Sequence, residues 1–260
     1  MPDQPLTRRE RQREQTTAEI LTAARHLLAA DGPAALTLRA TAREVGMTAP
    51  GVCRYFPDHR ALVQAVVADL YRDLAADLEA ARDAHADAPT ADRLAAAARA
   101  LRRWSLAHRS EFTLLFGKPI ADAGTAPEDP AHDAGWRFGQ VFLGLMTQLW
   151  REGTVPPPAA DESVPAWWTQ YDDLREHLTD DIPLPVLNRF VQAWTRIYGL
   201  VALEVFGHLD FTLADPEPFF EQALSDVLTS RRATPAAAVS AVESGKWTVP
   251  TTAAQAAPVS

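Results

Sequence analysis

Two side chains with strong hydrogen-bonding tips, Arg54 and Tyr55, lie near the end of the string VGMTAPGVCRYF, Val45 to Phe56. A guanidinium offers five donors in a planar fork, and a phenol both donates and accepts. At the tip of a short exposed helix such a pair suits phosphate or the polar edge of a base, and an arginine fork pairs bidentately with guanine. The other reactive residue types are scattered. Cys53 is the single cysteine, so an intrachain disulfide and a four-cysteine zinc site are excluded. With only Arg54 as a basic neighbour, Cys53 reads as a small packing residue rather than a redox sensor. His208 and Asp210 have a metal-compatible spacing but no third ligand type beside them. Asp172-Asp173 and Asp180-Asp181 read as surface charge. There is no P-loop, no GxGxxG after a strand, no GxSxG and no HExxH. The expectation is a protein without catalytic residues, metal or cofactor.

The elements that must position Arg54 and Tyr55 are helical. Helical periodicity recurs throughout, and convincing strand alternation is absent. Ile20, Ala24, Leu27 and Leu28 form one stripe, ended by Asp31-Gly32-Pro33. Thr37 suits the cap of a short helix carrying Leu38, Thr41, Ala42 and Val45, closed by Gly46. Thr48 suits the next cap, with Pro50 in the first turn, where a missing N–H costs little; that helix is expected over 49–55. Pro57-Asp58 breaks and recaps, and Leu62, Val66, Leu70, Leu74 and Leu78 then repeat every four residues along a long helix to Asp83. Further helices are expected after Pro89, over 110–116, through the strongly apolar Trp136–Leu149 stretch, and over 166–178, 184–206 and 216–232. Residues 117–132 and the Pro-rich 153–165 read as connections, and residues 233–260 as a disordered tail.

The composition is that of a globular chain, 47% hydrophobic, with a net charge of −9. That charge is uneven. Residues 1–60 hold nine arginines against seven acids, a net of +2, leaving −11 for the remainder. Such asymmetry points to a nucleic-acid-binding end on an acidic body. The N-terminal MPDQPLTRRERQREQ has no apolar core, so no secretory leader is expected. Phe138–Trp150, the longest uncharged apolar stretch, is too short to span a bilayer. A cytoplasmic location without membrane association is expected.

Two short helices joined by a tight turn at Gly46, covered by a first helix and a long fourth one, fit a helix-turn-helix whose second helix enters the DNA major groove. Periodicity alone fits a plain helical hairpin equally well. Order and spacing favour the first. The string LTLRATAREVGMTAPGVCRYFPDHRALVQAVV resembles the TetR family of bacterial regulators through Thr37, Ala42-Arg43-Glu44-Val45-Gly46, Tyr55-Phe56-Pro57 and Arg60-Ala61-Leu62, a likeness covering about residues 15–70. The C-terminal strings WSLAHRSEFTLLFGKP and WTRIYGLVALEVFGHL are similar to the WHG-type regulatory domain subgroup, which often has His where Tyr198 stands. The resemblance implies an all-α protein with a three-helix helix-turn-helix DNA-binding domain at 15–62 and a helical effector-binding and dimerisation domain at 63–232; residues 1–14 before it read as a basic arm. It implies that Thr37 and Arg39 meet phosphate, that Thr48, Ala49, Pro50 and Gly51 face base edges, that Arg54 and Tyr55 touch bases and backbone, and that His59 binds phosphate. Many members carry Tyr where Cys53 stands, so Arg54 takes more of the readout. The reading of Arg8, Arg9, Arg11 and Arg13 as a minor-groove arm competes equally with a solvated helix start, since Glu10 and Glu14 interleave.

The same resemblance implies a palindromic double-stranded DNA operator, a homodimer through helices 184–206 and 216–232, and a small-molecule effector of unknown identity. Aromatics concentrate in residues 100–200, and Trp104, Phe112, Phe142, Met146, Trp168, Trp194 and Tyr198 are the expected pocket lining. Arg102, Arg196 or Glu204 would supply its polar contact. The faces Leu187/Val191/Trp194/Tyr198 and Phe220/Ala223/Leu224/Val227 look too apolar for one chain to bury, which favours the dimer. The functional expectation is a repressor released from its operator by the effector. The alternative is a DNA-binding regulator controlled by a protein partner docking on the C-terminal domain.

Overall fold

Each α-helix of the N-terminal region begins on a side chain that satisfies an otherwise orphaned backbone N–H. A computed structural model describes residues 7–117, 129–153, 166–171, 175 and 182–229. Helix α1, Arg8–Asp31, starts on a capping box: the Thr7 hydroxyl accepts from the Glu10 N–H and the Glu10 carboxylate accepts from the Thr7 N–H. Gly32, at φ +79°, ends it. Helix α2, Leu38–Glu44, is capped by Thr37, and α3, Ala49–Cys53, by Thr48. Between them Gly46 takes φ +73°, a left-handed conformation costly for other residues. Helix α4, His59–Asp83, is capped by Asp58. The body follows as α5 (Thr90–Ala107), α6 (Arg109–Phe116), α7 (Pro130–Arg151, capped by Asp129), α8 (Leu184–Val205) and α9 (Glu217–Thr229). No strand occurs among the described residues.

One main core runs from Ile20 on α1 to Leu224 on α9, with a smaller cluster of Leu143, Ile182, Val186 and Leu187 beside it. The predicted α4 stripe Leu62, Val66, Leu70, Leu74 and Leu78 is fully buried, and α4 packs chiefly on α7 and α5. Helix α7 also touches α8, so it is covered on more than one side, as its wide apolar girth required. Ion pairs tie the layers. Arg25 on α1 meets Asp69 and Asp73 on α4, and Arg137 on α7 grips Glu79 on α4 with both ends of its fork. A buried pair joins α5 to α8: Arg102 donates from Nε and Nη2 to the Glu204 carboxylate at 2.8 and 2.7 Å, with the two side chains only 11% and 7% exposed. The same guanidinium reaches Glu217 on α9 at 3.2 Å and lies 5.4 Å from the Phe220 ring centre. This bonding outweighs desolvation and holds the Arg102 pKa above its ordinary value.

Several expectations change. The stretch 8–14 is the opening of α1 rather than a separate arm, because Thr7 and Glu10 cap the helix there. The boundary at 62/63 falls inside the continuous α4. Regular α3 stops at Cys53 instead of Tyr55, since the Arg54 and Tyr55 N–H groups bond to Gly51 and Val52 three residues back, which tightens the last turn. Helix α7 starts at Pro130, inside the expected 117–132 connection. Leu187, Phe220, Ala223 and Leu224, assigned to a dimer face, are buried within the single chain; α5 packs on both α8 and α9. The large apolar side chains left outside on α8, α9 and their connection are Leu203, Phe206, Phe211 and Phe219. Of the helix expected at 166–178, Ala166–Tyr171 forms a 3-10 turn; most of the remainder, the stretch 154–165 and the tail 233–260 lie outside the described residues.

Removing one partner of a buried pair leaves an uncompensated charge. Arg102→Ala is therefore expected to lower stability by about 3–5 kcal/mol, read from urea denaturation midpoints. Arg102→Met combined with Glu204→Leu should recover most of that loss; equal loss in both variants would show that the ion pair is not the cause.

Candidate nucleic-acid interface

The short α3 is held by the core on one side and open on the other. Val52 and Phe56 point inward, 0% and 6% exposed. The Thr48 hydroxyl accepts from the Gly51 N–H at 3.2 Å, and a Cβ on Gly51 would sit 3.2 Å from that same oxygen, so a side chain there would crowd the cap. Of the predicted interface residues, Thr37, Arg39, Thr48, Pro50, Arg54 and His59 are exposed, while Ala49, Gly51 and Tyr55 are half-buried. Thr37 and Thr48 spend their hydroxyls on the Ala40 and Gly51 N–H groups. The outer face of α3 thus presents Pro50, Cys53 and Arg54, with Tyr55 at its edge.

His59 sits at the first position of α4, and its Nε2 lies 2.7 Å from the Leu36 carbonyl oxygen. A carbonyl only accepts, so Nε2 is the donor and the ring ties the start of α4 to the entry of α2. A phosphate would find a donor on Nδ1 only in the cationic ring. The positioning contact that sequence reasoning missed is Arg13. Its Nη2 donates to the Arg54 carbonyl at 3.4 Å and its guanidinium stands 5.4 Å from the Tyr55 ring centre, so α1 braces the end of α3. The two are 41 residues apart, and no local pattern marks the contact.

A second feature lies in the body. A cavity of about 40 Å³ between α5, α7, α8 and α9 is lined by apolar residues. Phe142, Met146 and Trp194 of the expected set line it; Leu94, Ala98, Leu101, Phe190, Ala193, Ile197, Leu224 and Val227 complete it. Their register at spacings of three and four was legible, but the expectation favoured large aromatics over Ala and Leu. Phe112 and Tyr198 sit instead in a seam with Tyr71, Phe116 and Phe138. Trp194 stacks on Tyr198 with rings 5.2 Å apart, joining the seam to the cavity. Burial, with a smaller contribution from Tyr198, pushes the Tyr71 phenol up to about 12. Trp104 stacks on His108 outside the cavity wall, and the Trp168 side chain lies outside the described residues. Arg102 and Glu204 bond to each other and Arg196 to Asp226, none of them lining the cavity. Among the described residues no cluster of three potential metal ligands occurs, and no helix is long and apolar enough to cross a membrane.

Comparison with known proteins bears on both features. Residues 20–66 match the model of the tetR family of bacterial regulatory proteins, and residues 94–227 match that of the tetracyclin repressor-like C-terminal domain. The HTH-type transcriptional regulator Rv1816 of Mycobacterium tuberculosis is 29% identical over 216 residues, covering 80% of this chain and 89% of the relative. The crystal structure of a candidate regulatory protein, SCO4313, is 30% identical, with a TM-score of 0.66 over 86% of this chain and all of the other. RolR, solved with its ligand resorcinol, shares the fold at 17% identity and a TM-score of 0.53, covering 85% of this chain and 96% of RolR.

The Thr48 cap is the simplest part of this arrangement to perturb. Thr48→Ala is expected to cost about 1 kcal/mol of stability, whereas Phe56→Ala should cost roughly 3–5 kcal/mol as a core truncation. Thermal melts of the two variants beside the unaltered protein check both magnitudes.

Proposed function

Because the chain belongs to the tetR family of bacterial regulatory proteins, whose members bind DNA and form dimers, we propose that it is a dimeric repressor whose α3 reads a palindromic operator and which an uncharged apolar effector releases. The observation that carries the first half is the placement of Arg54: exposed, on the last turn of a helix rooted by Val52 and Phe56 and braced by Arg13. A recognition helix needs that combination, a fixed backbone and a free donor fork at its tip. Exposed Leu203, Phe206, Phe211 and Phe219 support a partner copy against this side of α8 and α9.

The second half rests on the cavity between α5, α7, α8 and α9. Its lining contains no charged or hydrogen-bonding side chain other than the Trp194 indole, so a charged effector would lose its hydration without compensation. Its volume of about 40 Å³ is far below the roughly 300–1,000 Å³ of ordinary ligand pockets. An effector must therefore part the packed helices, and that displacement makes its affinity differ between two conformers. RolR carries resorcinol on the same fold, which agrees with a small aromatic ligand here. Cytoplasmic residence follows from the DNA target.

Arg54→Ala should lower operator affinity by roughly 1–3 kcal/mol and relax base preference at one position per half-site. Footprinting on DNA beside the gene supplies the operator, and a titration against base-substituted duplexes gives the preference. Unchanged preference would remove Arg54 from the readout. For the cavity, phenylnaphthylamine, an uncharged fluorophore, should quench the tryptophans and weaken operator binding. Ala193→Phe, which fills the cavity from α8, should abolish that response while operator affinity stays as in the unaltered protein. Sedimentation should give a dimer at micromolar concentration.

A further inference from the structure

The face that α1 turns toward α3 has no role in a helix-turn-helix made of α2 and α3 alone. Arg8, Arg9, Gln12 and Arg13 line one concavity together with Arg54 and Tyr55. At offsets of zero, one, four and five residues, the four α1 positions share one side of the helix. Glu10 and Glu14 fall on the other side, and Glu10 is held in the capping box with Thr7. The charges that interleave in sequence are thus sorted in space. Arg8 and Arg9 are exposed. Arg13 anchors the face through the Arg54 carbonyl and the Tyr55 ring. The α1 arginines and the reading end of α3 are consequently one continuous surface.

We propose that this surface is a clamp for the DNA phosphodiester backbone flanking each operator half-site, with Arg8 and Arg9 as the phosphate contacts and Arg13 as the residue that positions Tyr55 and the end of α3. It rests on the reading of α3 as the recognition helix. Charge complementarity selects the occupant. The chain as a whole carries −9, so neutralisation of phosphate must come from a few local cations at its basic end. Guanidinium forks suit phosphate oxygens, and contacts to phosphate add affinity and fix register without reading sequence. Continuity with α3 places the contacted phosphates next to the bases that Arg54 meets, so α1 lengthens the footprint outward from each half-site.

The test is a series of operator titrations over a range of salt concentrations, using the full chain and a fluorescein-labelled duplex that extends past both half-sites. Arg8→Gln and Arg9→Gln should each weaken binding several-fold at physiological salt and flatten the log–log salt slope by roughly one per lost phosphate contact, with base preference unchanged. Arg11→Gln, which removes the same charge from the other side of α1, should leave the slope close to that of the unaltered protein. On a duplex trimmed to the half-sites, all these proteins should bind alike. An unaltered slope in Arg8→Gln and Arg9→Gln overturns the clamp. Equal flattening by Arg11→Gln also overturns it, since the effect would then be one of net charge. Failure of the α3 reading is seen separately, as an unchanged base preference in Arg54→Ala.

Discussion

One helix carries the geometry of the whole molecule. Helix α4 begins at His59, just after the helix-turn-helix, and ends at Asp83 at the far edge of the body, about 37 Å away at 1.5 Å per residue. Its single stripe of Leu62, Val66, Leu70, Leu74 and Leu78 is buried along its full length, so the two ends cannot move independently without opening a core. The start is pinned twice, by the Asp58 cap and by the His59 ring on the Leu36 carbonyl. Any rearrangement of the body that tilts α4 therefore carries α2 and α3 with it.

The buried pair between Arg102 and Glu204 does for the other end of the molecule what apolar packing does for α4. A guanidinium with two bonds to one carboxylate, a third to Glu217 and a ring beneath it fixes the register of α5, α8 and α9 together. Apolar side chains of similar volume would pack there but tolerate sliding, whereas paired forks lose a bond for each small displacement. Arg109 adds a fourth tie by donating to the Val205 carbonyl at the end of α8, where the helix dipole favours a cation.

Local signals in the sequence located most of this. Thr37, Thr48 and Asp58 announce helix starts because capping is decided within three or four residues, and the four-residue repeat of α4 is likewise a property of one helix. What depends on partners far along the chain was not legible. Phe112, Phe142 and Tyr198 are all aromatics on amphipathic helices, yet Phe142 faces the cavity while Phe112 and Tyr198 join the seam with Tyr71. Only the relative rotation of α6, α7 and α8 decides that. Leu187, Phe220, Ala223 and Leu224 turned inward for the same reason: counting apolar residues on α8 and α9 does not reveal that α5 and α7 also need them. Interleaved Glu10 and Glu14 hid the basic side of α1 until the start of the helix at Arg8 set its phase.

The seam of rings offers a physical route between the cavity and α3. Trp194 belongs to the cavity wall and stacks on Tyr198, whose hydroxyl donates to the Phe116 carbonyl at the end of α6. Helix α6 in turn packs on α1 and on the 3-10 turn Pro33–Ala35 that leads into α2. A close-packed stack of rings has few intermediate positions, so a displaced Trp194 shifts its neighbours or opens a void. In the proposed mechanism the effector gains nothing from contacts that are equal in both conformers. On that proposal its leverage is the difference between the packed cavity and a parted one, which the ring stack would convert into a tilt of α1 and α4. Arg13 and His59 are placed to pass such a tilt to the two ends of the helix-turn-helix, since each ties a flanking helix to the backbone beside α2 or α3.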